Sequence, residues 1–426
     1  MASFSIPLTG LEADSTALNT IANDLANMNT TAFKAQSTNF SDLFYQQIGT
    51  TGAGDPVQVG AGVQVGSNET AYTQGTINST GNSTDVALNG NGFFVVGNGD
   101  GAYELTRDGN FTQNANGDLV TNDGLNLMGY PAVNGVVNTN APLAAINVPV
   151  GQVQVPQATT SFSMVTNLDA ASATGTQFPA QVTIYDSLGE PHVVTVTYTQ
   201  TAPNTWSYSV ALPASDFASG VSTPVTGTLN FDSNGNLTTV TPTGGAAETV
   251  GTAAGDISSI PISFTGLADA SSNLGMQWNL FGAGGSPTIS QVDTASAVSS
   301  TQQNGYPSGQ YQSFSIGGDG AVTVTYSNGQ RQNVGQLALA NVENLQGLQL
   351  LGDDNYAATL ASGTPSIGVS GTSGLATLQD SALESSNVNI SSEFSDLIIA
   401  QRAFEANAKS VTTFDTVTQD TINMVH

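Results

Sequence analysis

The chain has two histidines, His192 and His426, so a Ser-His-Asp relay would have to be built on one of them. His192 lies in "GEPHVV" (Gly189–Val194), where a strand leaves a turn, and the sequence predicts an exposed strand-end imidazole, not a catalytic base. No G-x-S-x-G elbow, P-loop or H-E-x-x-H helix occurs. Cysteine is absent, which excludes a disulfide framework and thiolate metal sites. Asp and Glu number 32, enough for a glycosidase-type pair by count alone. Most aspartates, however, stand beside Gly or Asn, where a carboxylate closes a turn by accepting backbone N–H groups. Asp232-Ser-Asn-Gly-Asn-Leu237 opens like an EF-hand loop. It has Leu at the sixth position, where Gly is required, and no Glu at the twelfth. Gly317–Val322 departs from the calcium-binding G-G-x-G-x-D repeat. Both read as hairpins. The sequence thus predicts no catalytic residue, no cofactor and no metal.

Charge narrows the partners. Five Lys and Arg against the 32 acids give a net charge of −27. Phosphate neutralisation needs clustered cations, so nucleic-acid binding is excluded, and attraction to an anionic membrane is equally disfavoured. Charged residues are only 9%, against roughly a quarter in ordinary domains. Gly, Ser, Thr and Asn fill the gap, a mixture suited to turns and half-buried strands. The stretch "MASFSIPLTGLEADS" has no basic n-region or apolar h-region, which predicts no Sec-type leader. No run of 18 apolar residues predicts membrane insertion.

The ends of the chain are built differently from its middle. Phe4, Leu11, Leu18 and Leu25 recur at heptad spacing, and Ile21 and Met28 continue a second series begun by Pro7 and Asp14. Asn19, Asn23 and Asn27 run beside them. The helix begins near Ser5, where Pro7 is tolerable only in a first turn, or near the capping-box spacing Thr9…Glu12. From Ser391 to His426 there is no Pro or Gly. Phe394, Leu397, Ile398, Phe404, Ala408, Val411 and Phe414 form a stripe, so 391–424 reads as one helix with Ser391 as N-cap and Glu393 in its first turn. Small and polar neighbours (Ala26, Ala403, Gln401, Asn407) suit closely approaching helix edges. Amphipathic helices without a core of their own bury their stripe on another copy.

The middle reads as β structure. Val193–Thr199, Trp206–Val210 and Val322–Tyr326 alternate apolar and Thr or Ser residues. Phe111–Leu119, Phe231–Leu237 and Phe314–Val322 each place a Gly-bearing turn between apolar residues. Gly/Ser/Thr-rich stretches punctuate the chain at 49–70, 148–162 and 285–305. The expected class is α+β and multidomain. It has paired terminal helices (1–30 and 391–426), an extended linker (31–70), a β domain from 71–147 and 301–390, and a nested, inserted β domain over 148–300.

"LNTIANDLANMNTTAFK" (Leu18–Lys34) resembles the N-terminal motif of the bacterial flagellar rod and hook protein family, and Ser385–Met424 resembles its C-terminal motif. "NGFFVV" (Asn91–Val96), Tyr103–Gly124 and Gly335–Pro365 resemble its shared β domain. Val182–Gln200 is similar to a segment typical of its hook members; the distal rod member is the alternative. Membership implies a non-enzymatic, self-assembling subunit of a flexible extracellular tube, with the terminal helices as the inner wall and the inserted domain outermost. It also implies partners: the chain itself, hook cap, distal rod, hook–filament junction and the flagellar type III export apparatus. One departure stands out. Where the family commonly carries Gly before Phe-Lys, this chain has Ala32, which is strained or sits in a different turn. The competing reading of a different kind is a secreted acidic β-rich adhesin or hydrolase whose terminal helices cap its own fold.

Overall fold

The computed structural model describes residues 5–52, 54–98, 101–253, 255–282 and 284–424. The chain forms two compact units. One takes the residues up to Val150, Ser313–Thr325 and Arg331 onward; the other takes Gly151–Gln312 and Tyr326–Gln330. The path therefore goes out and returns, and the inserted segment ends about a dozen residues beyond the expected 300.

Helix α1 spans Ser5–Ala26 and α2 spans Ile390–Met424. Pro7 lies in the first turn of α1 and is buried, where its missing N–H costs nothing. The Thr9…Glu12 capping box is not formed, because Thr9 already lies inside the helix. Its Oγ1 donates to Ile6 O and accepts from Val63 N. Nor is Ser391 the N-cap of α2. Asn389 holds that position, its Oδ1 accepting from the amides of Ser391 and Ser392 at 3.0 and 3.4 Å. The cap must precede the first helical residue, and that residue is Ile390. Phe4 lies outside the described residues.

Residues 31–70, expected as an extended linker, fold into two antiparallel ladders. Strand β1 (Gln36–Asp42) pairs with β4 (Val63–Thr70), and β2 (Gln46–Thr50) pairs with β3 (Pro56–Val59). Linkers and exposed strands share a composition of Gln, Ser, Thr and Asn, so composition alone cannot separate them. What fixes the first ladder is α1. Thr20 Oγ1 lies 2.9 Å from Thr38 Oγ1, and Asp24 Oδ2 accepts from Gln36 N at 2.8 Å.

The β sheet of the first unit runs, neighbour to neighbour, Ala321–Tyr326, Arg331–Leu337, Asn126–Val133, Phe93–Gly97, Tyr103–Thr106, Asn355–Ala357 and Gln349–Gly352. Its core includes Phe93, Val95, Leu105, Met128, Ala340 and Tyr356. The second unit is a sandwich. A six-stranded antiparallel meander over Gln177–Thr249 faces a five-stranded sheet centred on Ser161–Asp169. Pro191–Ala202 and Thr205–Ala211 alternate buried and half-exposed positions, and the inward side chains of both sheets meet around Trp206, Tyr198, Tyr208 and Trp278. The three expected hairpins form, with Gly117, Gly235 and Gly320 at positive φ in their turns. Asp232 closes its turn by accepting from the amides of Asn234 and Asn236, as a hairpin aspartate does. His192 is not exposed as expected: it has 6% relative exposure, with Asp216 on one side of its ring and Asp186 and Asp269 on the other.

Candidate functional site

The site begins where α1 ends. After Asn27, the chain turns through Ala32, whose φ is 58° and which is buried. The departure from the family's Gly is thus met by a left-handed alanine, a conformation costing an L-residue roughly 1–2 kcal/mol. It persists because Ala32 N donates to Glu384 O at 2.8 Å. Two residues on, Lys34 Nζ donates to Glu384 Oε1 at 2.5 Å and to Thr73 O at 3.0 Å. Glu384 Oε1 also accepts from Gly75 N at 2.8 Å, and Oε2 accepts from Arg107 Nε at 3.2 Å. Arg107 spends its other nitrogens on Gly92 O and Gly90 O. All three charges are buried, and burial pulls the Lys34 pKa below its usual value against the opposing pull of Glu384. Asn387 completes the clamp: its Oδ1 accepts from Ala35 N and its Nδ2 donates to Ala71 O and Thr73 O.

This clamp brings the two chain ends to one place, and from it the helices run side by side. Near the clamp Asp24 and Glu393 face each other; further along, Asn407 Nδ2 donates to Asp14 Oδ2 at 2.8 Å. The pair is therefore antiparallel. Burial raises the Asp24 carboxyl to about 6, partly offset by the Gln36 amide. Burial, then Asp24 and Asp396, raise Glu393.

Small residues are buried where the two helices meet. Gly10 and Ala13 on α1 and Ala400 on α2 are buried, and a Cβ added at Gly10 would meet Asn407 Nδ2 at 2.7 Å. Large side chains on this seam would hold the helices apart. Leu11, Leu18, Ile21 and Leu25 are only half-buried, as are Leu397, Val411 and Phe414, and Met28 is exposed. Phe394, Ile398 and Phe404 are 53%, 57% and 38% exposed. Of the polar edge residues, Asn407 bridges the helices, and Asn27, just past the end of α1, donates its Nδ2 to Asn23 O. Asn19 and Gln401 lie at the surface. Gly10, Asp14, Arg107, Glu384 and Asn387 were not legible as site residues. The scarcity of cations, only five in the chain, was the one signal pointing at Lys34 and Arg107.

The same segments match known families. Residues 7–34 match the family described as "Flagella basal body rod protein", and 379–424 match "Flagellar basal body rod FlgEFG protein C-terminal". Residues 87–167 match "Flagellar hook protein FlgE/F/G D1 domain", and 154–306 match "Flagellar basal body protein FlaE D2 domain". Together they define the class: axial proteins of the flagellar rod and hook. The Salmonella typhimurium flagellar hook protein FlgE is 33% identical over 99% of this chain and 100% of its own length. The Borreliella burgdorferi flagellar hook protein FlgE is 31% identical over 98% of each. The crystal structure of Helicobacter pylori flagellar hook protein FlgE2 superposes with a TM-score of 0.53 at 15% identity. It covers 72% of this chain and 100% of that one, and shows the same fold. The chain belongs to the flagellar hook protein family. It is a structural subunit of the extracellular hook of the bacterial flagellum.

Proposed function

We propose that the subunits join into a flexible tube through the terminal helices, and that the hook so formed carries motor torque to the filament without catalysis. The observation behind this is the state of α2. Among its 35 residues only Ala400 is buried, while Phe394, Ile398, Ile399, Phe404, Val417 and Ile422 are exposed. A helix of this length in a self-contained domain turns such residues inward. Full burial of one Leu or Phe is worth roughly 1.5–3 kcal/mol, so several per subunit can hold a polymer together against the repulsion of −27 charges per chain.

On this reading the helices form the inner wall. The β domain of the first unit, which resumes at Ser313 after the inserted segment, lies outside them. Thr/Ser/Asn-rich outer faces slide with small energy differences, which permits bending; an apolar outer interface would lock one shape. The further partners are the hook cap, distal rod and hook–filament junction proteins and the type III export apparatus.

Low-dose electron images of concentrated, purified protein test the reading. Hollow tubes are expected. A protein that stays monomeric at high concentration, with protease-resistant ends, contradicts it and favours helices that merely cap their own fold.

A further inference from the structure

His192 is the buried centre of a cluster in the second unit that takes no part in the helix pair or its clamp. Three segments supply it. Asp186 opens the turn between strands Gln177–Tyr185 and Pro191–Ala202, Asp216 ends the short helix Ala214–Asp216, and Asp269 follows strand Ser259–Phe264. Each of two carboxylates spends one oxygen on its own turn. Asp186 Oδ1 accepts from the amides of Leu188 and Glu190, and Asp269 Oδ1 from that of Ser271. Their Oδ2 atoms are aimed at His192 Nε2, at 3.8 and 3.7 Å. All three of these atoms are buried without a hydrogen-bond partner. On the far side of the ring, His192 Nδ1 lies 2.9 Å from Asp216 Oδ2. A carboxylate there fixes the tautomer with the proton on Nδ1 and leaves the Nε2 lone pair facing two carboxylate oxygens.

Three acceptor atoms converge in a buried place, and their repulsion is relieved by a cation between them or by a proton held between the Asp186 and Asp269 carboxyls. A proton on Nε2 does not resolve it well, since 3.7–3.8 Å is too long for an N–H···O bond. Two ligands each ~2.0–2.2 Å from one tetrahedral ion lie about 3.3–3.6 Å apart, slightly less than the 3.8 and 3.7 Å from His192 Nε2 to the two carboxylate oxygens. All three ligand atoms lie within 4.8 Å of one another.

We infer that His192 Nε2, Asp186 Oδ2 and Asp269 Oδ2 bind one divalent ion of the zinc class, with Asp216 orienting the imidazole from behind. Asp186 and His192 are almost fully buried, while the Asp269 side chain is 26% exposed, which leaves a path from solvent and room for water as a further ligand. The ion would tie the turn before His192 to two distant segments and brace the sandwich at that end. The donor set of one imidazole and two carboxylates suits Zn²⁺ better than Ca²⁺, which takes six to eight oxygens.

Titration of the full-length protein with Zn²⁺ tests this, after stripping with chelator and in the presence of excess Mg²⁺ to occupy surface carboxylates. The expected result is one Zn²⁺ per chain and a rise in the thermal midpoint read by Trp206 and Trp278. With Co²⁺, visible d–d bands of a tetrahedral site are expected. His192→Ala and Asp269→Asn should abolish stoichiometric uptake, and Asp216→Asn should weaken it about 10–100-fold. Near-UV circular dichroism verifies that each variant is folded, with His192→Gln as substitute should His192→Ala not be. Folded wild-type protein that takes up no Zn²⁺, a site that prefers Ca²⁺, or equal uptake by the folded His192→Gln/Asp269→Asn variant would each overturn the assignment.

Discussion

Lys34 Nζ lies 2.5 Å from Glu384 Oε1, although the two are 350 positions apart and neither side chain is more than 1% exposed. This ion pair fastens the exit of α1 to the approach of α2. Glu384 also holds Arg107, so one carboxylate balances two buried cations.

Removing that carboxylate should therefore hurt more than removing either cation. Glu384→Ala leaves Lys34 and Arg107 buried without a counter-charge, and a loss of about 3–5 kcal/mol is expected. Lys34→Ala leaves Glu384 still paired with Arg107 and should cost less. The two units can be read separately. Both tryptophans, Trp206 and Trp278, sit in the core of the second unit, whereas the helices belong to the first. Denaturation followed at 222 nm should shift in both variants, while the tryptophan transition stays in place. A shift confined to tryptophan would show that the clamp is assigned to the wrong unit.

Ala32 offers a test of backbone strain. Its φ of 58° tolerates Ala at a cost but is an outlier for a β-branched residue. Ala32→Val should destabilise the helical transition by about 2 kcal/mol or more. Ala32→Gly should lie within roughly 1 kcal/mol of wild type, since relief of strain is offset by greater freedom of the unfolded chain. Equal effects of Gly and Val would contradict a left-handed Ala32.

Asp24 should make the first unit sensitive to pH. Its carboxyl is raised from 3.8 to about 6 by burial, so between about pH 4 and 6 the native state holds a proton that the unfolded chain has released. Stability then falls as pH rises through that window and is regained on acidification from pH 7 to 5. A rise of this size corresponds to roughly 3 kcal/mol at most. Asp108 and Asp354, each raised to about 6 chiefly by burial, act in the same direction. The denaturation midpoint at 222 nm should increase from pH 7 to 5 in wild type and increase less in Asp24→Asn. An unchanged slope in that variant would remove Asp24 from the account.

Much of this organisation was legible in the sequence, for physical reasons that also explain the rest. The 3–4 periodicity of Phe394, Leu397, Ile398 and Phe404 marks an amphipathic helix whether its partner is internal or another subunit. Hence the helix was readable, but not which face met α1. The seam of Gly10, Ala13 and Ala400 has no hydrophobic signature, because close approach selects for absence of side chain. Period-two alternation in Val193–Thr199 and the Gly-bearing turns disclosed the strands. By contrast, β1 and β4 carry too little apolar contrast to be told from linker. The Glu384 clamp and the His192 cluster join residues far apart in the chain, and a single sequence contains no pairing information at that distance.

Salt should favour assembly. With a net charge of −27 per subunit, neighbouring chains repel, and ionic strength near 0.10–0.15 M shortens the reach of that repulsion to about 8–10 Å. The critical concentration for sedimentable polymer should fall from low to moderate salt. Independence from salt would argue that the acidic surfaces lie far from the subunit contacts.

The central claim is that the exposed apolar residues of the terminal helices are the assembly surface. It is tested most directly by sedimentation and electron imaging of Phe404→Asp beside wild type at equal concentration. Wild type should form tubes. Phe404→Asp should stay in the supernatant while its tryptophan fluorescence and 222 nm signal remain those of the folded subunit. Tubes of normal appearance and yield from Phe404→Asp would contradict the account.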